Sequence, residues 1–512
     1  MLDVIQTNRR CAFCEKGELG VDYLIAGPSS FICNECVTNA ADLLAARNGY
    51  TDVDPTQPLR VGLEPSKFVH TVLKKHFYPT YVTDVVTSSR VFPARMRADL
   101  QKALNHLFNQ REGVTFLGVH VSYSYETCTF SLLLDDIRET AVIAPARYEE
   151  VDIGEDEPVR CLENGLWLVS EHNVRYAVLL SPQKEHSRCV GSHLEVAVLA
   201  GTEGQTIVSE IFKQAENAIA QAKSYRGKVL SLETGDNYSG HSVGVTVHRL
   251  DPIDQDDLVL PAATIELLRR NVIEFAQRRK ELAAFNMPLK KGLLFYGPPG
   301  TGKSFTIRYL ATLLPGHTTL LVTAEQIGLI REYIALARLL QPSMVVIEDA
   351  DLIARDRDTM SGSCEEAMLN RLLNEMDGLA EDAELIFILS TNRPETIEAA
   401  VAGRPGRIDQ AIEFPLPDEA GRKKLATVYA RNVPVADDVL NGIVAKTKNV
   451  SAAFIKELMR RATQFYLENN RSGSLSIQDI DEALTEMLFT GGQLNVKLLG
   501  GDIGSLAEKD IS

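Results

Sequence analysis

The sequence is most informative at first through what it is short of. It has no apolar run approaching the roughly 20 residues that cross a bilayer, which excludes a helical membrane span. Its first ten residues lack the apolar core of a signal peptide. It has no excess of positive charge. The net charge of −16 makes the chain a poor binder of polyanions and argues against nucleic acid as partner. Aromatic residues are 7% of the chain, with a single tryptophan. None of the ten histidines forms His-Glu-x-x-His, so no zinc-protease motif is present. There is no internal repeat and no long low-complexity segment. What is there is ordinary globular composition, 45% hydrophobic and 24% charged over 512 residues, enough for about three domains. Four of the eight cysteines stand in two Cys-x-x-Cys pairs, which points to metal binding in a reducing cytoplasm over a disulfide framework.

The most specific stretch is Gly297, Pro298, Pro299, Gly300, Thr301, Gly302, Lys303, Ser304. A short apolar run, Gly292–Tyr296, precedes it and reads as a buried parallel strand. A helix-periodic run from Phe305 to Leu314 follows. Strand, glycine-rich turn and helix N-terminus form a phosphate cradle, because the glycines let successive N–H groups turn toward one anion. Lys303 is expected to reach the β- and γ-phosphates of a nucleotide, and the Ser304 hydroxyl to hold Mg²⁺. Phe305 closes the cofactor-binding stretch.

Cys11 and Cys14 are separated by 18 residues from Cys33 and Cys36. Four thiolates at this spacing close a tetrahedron around Zn²⁺ with no position left for water, so the expected zinc is structural. A segment of about 50 residues buries too little apolar surface to fold alone, so metal affinity becomes folding free energy. The surrounding residues, from Cys-x-Phe-Cys-x-Lys16 through Leu24-Ile-Ala-Gly27-Pro28 to Phe31-Ile-Cys-x-x-Cys-Val37, resemble the N-terminal zinc domain of the ClpX unfoldases. That resemblance implies a domain that dimerises and docks substrates or adaptors. Residues 1–50 carry four basic and six acidic side chains, unlike a nucleic-acid zinc module. Residues 51–65 read as a linker, with two prolines and no periodicity over Thr51–Pro58.

Met344-Val-Val-Ile-Glu348-Asp349 is an apolar strand ending in two acids, 45 positions after Lys303. Acids at that end of a strand face the ligand crevice of a doubly wound sheet. One would organise Mg²⁺ and the other polarise the attacking water. A second buried strand, from Glu384, ends in Asn392. Gly403-Arg404-Pro-Gly-Arg407-Ile-Asp409 and Phe414-Pro-Leu-Pro-Asp418 come next. This ordered set, with Leu372–Gly378, resembles the AAA subfamily of AAA+ ATPases over roughly residues 255–490, including the FtsH-like enzymes. The resemblance implies an α/β P-loop NTPase, a doubly wound parallel sheet at 251–420 with a helical lid at 421–496 and a tail at 497–512. It implies that Asn392 is sensor 1, and that Arg404 and Arg407 are arginine fingers entering a neighbour's site, hence a homo-oligomeric ring, a hexamer. The family's usual Asp-Glu order is inverted here. By register Glu348 takes the magnesium position and Asp349 the water position, with Glu348 the other candidate for the base; the inversion is shared with AAA proteins resembling the mitochondrial Rieske-protein translocase. The segment after Thr318 offers only Ile327-Gly328 where peptide-threading rings carry an aromatic residue before a glycine. In the lid, helical spacing predicts helices over 422–430, 437–445, 451–466 and 477–488, with Ser451 and Ser476 at N-caps.

Residues 66–250 read as a separate α+β domain, with helices near 98–108 and 207–222 and strands at 114–121, 125–134, 165–169, 176–180 and 194–199. Trp167, Cys128, Cys161 and Cys189 are expected in its core. Its place between docking module and motor suggests recruitment of substrate or partner. The functional expectation is an ATP-hydrolysing ring that remodels or unfolds protein substrates. The alternatives are a nucleotide-gated scaffold with little turnover, suggested by the inverted acids, and a nucleic-acid-acting AAA+ ATPase, which the charge opposes.

Overall fold

The computed structural model describes residues 10–17, 21–26, 30–47, 68–109, 111–122, 125–135, 141–171, 174–185, 188–221, 223–234, 242–353, 374–376, 378–395, 397, 407–469 and 473–490. These divide into two compact units, Met1–Ser66 and Lys67–Ser512. The first holds an antiparallel pair, β1 (Leu24–Ala26) and β2 (Phe31–Cys33), followed by α1 (Asn34–Arg47).

The second unit opens with α2 (Val69–Phe77) and a six-stranded antiparallel sheet. Its strands are β3 (Val85–Pro93), β4 (Val114–Val121), β5 (Ala141–Ala144), β8 (Gly165–Glu171), β9 (Val174–Glu185) and β10 (Arg188–Leu199), ordered β3-β10-β9-β8-β4-β5. Strand alternation sends Leu194, Val196 and Val198 to one face, where α3 (Arg97–Phe108) and α5 (Thr202–Gln221) cover them. Leu168, Ala177 and Leu179 pack on the other face with α2 and the short α4 (Phe130–Leu134). Trp167 stacks on Phe108 with ring centres 5.3 Å apart, a core residue as expected. Cys128 and Cys161 are buried, but Cys189 is only half-buried and its thiol faces the Gly191 carbonyl. The strand expected over 125–134 is not formed, and Phe130–Leu134 is a helical turn instead. Its Phe130 N–H donates to buried Glu195, a partner no local pattern reveals. A two-stranded sheet, β6 (Tyr148–Val151) and β7 (Val159–Leu162), stands beside it.

The second sheet has seven strands. They are β11 (Val229–Thr234), β12 (Ser242–His248), β13 (Lys291–Tyr296), β14 (Thr318–Val322), β15 (Ser343–Ile347), β16 (Leu385–Thr391) and β17 (Gln410–Glu413), ordered β12-β11-β14-β15-β16-β13-β17. From β11 to β17 every pairing is parallel. All five residues of β15 and all seven of β16 are buried, as continuous apolar runs in a two-sided parallel sheet require. The hairpin β11–β12 is the main departure from the expected boundary at residue 250. It joins this sheet through Val229↔Thr319 and Leu230↔Leu320. Four lid helices follow, α9 (Glu419–Ala430), α10 (Asp437–Lys446), α11 (Ala452–Glu468) and α12 (Ile477–Thr485). They are labelled after α6 (Ala262–Leu268), α7 (Lys303–Leu313) and α8 (Ile330–Leu339) of the sheet region. Ser451 caps α11 through Phe454 N–H, and Ser476 forms a capping box with Asp479, as expected. Among the described residues no helix is long and apolar enough to cross a membrane.

Candidate functional site

Three parallel strands end at one place. β13 runs into the glycine-rich loop, β15 into Glu348 and Asp349, and β16 into Asn392. This is the carboxyl edge of the sheet, where strand order reverses and ligands bind in open α/β folds. The loop is shaped by its neighbours. Gly297 has φ +146°, and a Cβ there would lie 2.2 Å from the Phe414 carbonyl oxygen, so only glycine fits. Lys303 begins α7 and is 7% exposed. Its Nζ donates to the carbonyls of Gly297 (2.8 Å) and Pro298 (2.9 Å). Burial pushes its ammonium down to about 8, with the carboxylates of Asp349 and Asp351 pulling it back up.

A cleft of about 390 Å³ lies over this loop. Pro299, Gly300, Thr301, Gly302, Lys303, Ser304 and Phe305 line its floor, and Asp349, Ser390 and Asn392 its far wall. The lid closes one side, with Leu425 and Tyr429 of α9 and Ala452, Ala453 and Lys456 of α11. The Ala453 N–H donates to the Gly300 carbonyl at 3.1 Å, so the start of α11 rests on the loop. Asp257–Leu260 and Arg308 complete the lining. Sequence reasoning placed the lid segment 451–458 beside the nucleotide but missed Asp257–Leu260, Arg308, Leu425 and Tyr429, which no local pattern marks.

The two strand-end acids are not equivalent. Asp349 is exposed to the cleft with φ +50°, a left-handed conformation that costs a non-glycine residue energy and is found at functional sites. Its N–H donates to Ser390 Oγ (3.3 Å), and its Oδ1 accepts from Asn392 Nδ2 (3.2 Å). Glu348 is half-buried, its N–H donates to Val322 O, and it is not among the lining residues. A third acid, Asp351, is 2% exposed and accepts from Thr391 Oγ1 and the Asn392 N–H, which holds Asn392 against Asp349. Nothing in the sequence marked it. Arg404 lies outside the described residues. Arg407 is 3% exposed, and its Nη2 donates to Asn374 Oδ1 of the same chain at 3.1 Å.

In the first unit the sulfurs of Cys11, Cys14, Cys33 and Cys36 all lie within 4.8 Å of one another. Cys14 and Cys33 are 3.6 Å apart, close to the edge of about 3.8 Å for a tetrahedron with Zn–S bonds of 2.3 Å. The Cys33 N–H donates to Cys11 Sγ and the Cys36 N–H to Cys33 Sγ, bonds that favour thiolate. Cys36 is held up at about 12, first by its contact with Cys14 and then by burial, because crowded thiols resist ionising together without a cation. The donor set fits Zn²⁺.

A model of the ATPase family associated with various cellular activities (AAA) matches residues 293–416, and a model of the ClpX C4-type zinc finger matches residues 9–46. Protein SAV of Sulfolobus acidocaldarius is 33% identical over 239 residues, which is 43% of this chain and 30% of that protein. The ATP-dependent zinc metalloprotease FtsH 4 of Sphaerobacter thermophilus is 32% identical over 231 residues, 43% of this chain and 35% of that protein. The proteasome-activating nucleotidase of Methanocaldococcus jannaschii is 29% identical over 259 residues, 48% of this chain and 56% of that protein. The chain thus spans between 30% and 56% of the length of these relatives. The cofactors are ATP with Mg²⁺, and Zn²⁺ at the four cysteines.

Proposed function

We propose, on the premise that the chain joins a ClpX-type C4 zinc finger to an AAA ATPase domain, that it hydrolyses ATP in a homo-oligomeric ring and remodels protein substrates. The ring is a hexamer in the cytoplasm, and the zinc module docks substrate or adaptor. The observation that carries this reading is one cleft holding Lys303, Ser304, Asp349 and Asn392 beneath the lid. Lys303 exchanges its two loop carbonyls for phosphate oxygens. Ser304 would hold Mg²⁺, which would supply neutralising charge for the phosphates. Asp349, steadied by Asn392, accepts the proton of the attacking water. Arg404 and Arg407 are the candidates to reach the neighbour's γ-phosphate, where a guanidinium offsets developing charge.

The reading favours turnover over a passive switch, because the shorter acid of the inverted pair is the one aimed into the cleft. It also favours cargo that is not gripped at the β14–α8 connection. There Ile327 and Leu329 are buried, and Gln326 donates to Leu232 O of β11. ATP turnover of Lys303→Ala, Asp349→Asn and Arg404→Ala tests the motor. Losses of about 100-fold or more are expected in each. Wild-type rates in all three would remove the assignment.

A further inference from the structure

We propose that the cleft between the β6–β7 ribbon and the β11–β12 hairpin is a docking site for a basic side chain, arginine or lysine, of a partner polypeptide. The cleft holds about 300 Å³ and shares no lining residue with the nucleotide cleft. Its walls are acidic. Glu149, Glu150 and Asp152 come from β6 and the residue after it, and Glu233 from β11. The cations nearby are already engaged. Arg97 donates to Glu149 at 2.5 Å, and Arg249 donates twice to Asp152 at 2.9 Å. Glu150 and Glu233 pair with no cation among the described residues. Glu233 is set in place by β12. Its Oε1 accepts from Thr246 Oγ1 at 3.0 Å, and a Cβ on Gly244 would fall 2.6 Å from its Oε2, so the bare glycine leaves the carboxylate room to lie across the strand. The floor of the cleft points the same way. Tyr225 is 2% exposed and lines the cleft, and its hydroxyl has no hydrogen-bond partner among the described residues. Buried tyrosine hydroxyls are ordinarily paired, so an open one facing a cleft marks a place for a ligand. Burial first, and then neighbours that include Asp99, Asp152 and Glu233, push this hydroxyl above the usual tyrosine range. It therefore stays neutral, an oxygen able to accept from an N–H that the acids attract.

The shape of the cleft selects the occupant. A divalent metal needs several oxygens converging on one point. Among the described residues only the four cysteines bring three or more ligand atoms within 4.8 Å of one another, so these carboxylates stand too far apart to chelate. A long side chain suits them better. Val151, Val245 and Val247 line the same cleft and flank its methylenes, while the acids take the charge at its tip. A polypeptide is favoured over a free polyamine by the strand beside the cleft. β12 is the outer strand of the seven-stranded sheet and pairs only with β11 among the described strands, and its residues Gly244–Val247 line the cleft. An extended peptide can add to such an edge through its backbone, which a polyamine cannot do. The site gives chemical content to recruitment by this part of the chain and does not depend on ATP turnover.

Fluorescence anisotropy tests this, with a dye-labelled Gly-Ser peptide carrying an arginine run added to the full-length chain at physiological ionic strength. Binding is expected, and the same peptide with glutamine in place of arginine is expected not to bind. Glu150→Gln with Glu233→Gln should weaken binding about tenfold, and Tyr225→Phe about fivefold, the size of one lost hydrogen bond. Tyr225→Phe removes the hydroxyl alone and leaves the buried ring in place, so this variant keeps the fold. A charge-matched pair on α5, Glu203→Gln with Glu210→Gln, should stay within about twofold of the wild type, because charges on another face are screened. Equal losses in the two glutamine pairs would mean attraction to the net charge of −16 and would overturn the site. Wild-type affinity in Tyr225→Phe, or no binding of the arginine peptide at all, would overturn it as well. Spermidine or Mg²⁺ bound as tightly as the peptide, with the same dependence on Tyr225, would make a polyamine or a metal the occupant and the proposal wrong.

Discussion

At the scale of single residues, Lys303 is placed where burial opposes the charge that the proposed phosphate contact needs. Its ammonium is lowered to about 8, against 10.5 for an ordinary lysine. Between these values the unfolded chain binds more protons than the folded one, so this group makes stability rise with pH across that window. Phosphate contact needs the charged form, so nucleotide affinity should fall as pH climbs through about 8. Titration calorimetry at about pH 7 and about pH 9 should find that decline in the wild type and not in Lys303→Met. A flat wild-type profile would remove the lysine's charge from binding. The two acids give a second test. Asp349→Asn should lose at least about 100-fold in turnover while still binding nucleotide, and Glu348→Gln should lose less, because only Asp349 lines the cleft. Equal losses would restore Glu348 to the site. Lys303, Ser304 and the four cysteines were legible in the sequence because their chemistry is bound to local spacing. Asp351 was not, since its partners Thr391 and Asn392 lie 40 and 41 positions away.

Elements whose own periodicity carries their burial were read well. The four lid helices fall within a few residues of their expected bounds, and both serine caps are in place. The β11–β12 hairpin was not read as part of the second sheet. A strand's alternation tells that one face is covered, not which edge it joins. That edge has consequences for the segment Ala324–Leu329, a short 3₁₀ turn closed by a Thr323–Gln326 capping box. Tyr333 accepts the Leu232 N–H at 2.8 Å, which ties β11 to the helix that follows the turn. Ile327→Ala should therefore cost about 2–4 kcal/mol in chemical denaturation, the loss typical of a buried aliphatic side chain. A cost below about 0.5 kcal/mol would mean that the turn projects freely, as a surface substitution does.

Across the whole molecule, the six-stranded and seven-stranded sheets are parts of one compact unit. Arg95, beside α3, donates to Glu332 of α8 at 2.7 Å, and the two side chains are 9% and 14% exposed. Removing one partner leaves a buried charge, so Arg95→Ala should destabilise this unit by about 3–5 kcal/mol. Arg95→Met combined with Glu332→Leu should recover most of that loss, as denaturant midpoints would reveal. A mild Arg95→Ala would place the pair in solvent. The zinc unit should respond separately. A chelator should release one zinc per chain and open residues 10–47 to protease, leaving the thermal transition of the second unit in place. A fall in that transition would mean that the two units fold together.

The sequence alone carried the motifs of this protein: a phosphate loop and a pair of acids, each in one short run, and four thiols in two Cys-x-x-Cys pairs 18 residues apart. Tertiary structure alone decided which acid lines the cleft, that Arg407 is buried in its own chain, and that a hairpin from before residue 250 pairs with β14. Motif chemistry needs only near neighbours on the chain. Exposure and strand pairing depend on segments tens to hundreds of residues apart, whose meeting no local pattern records.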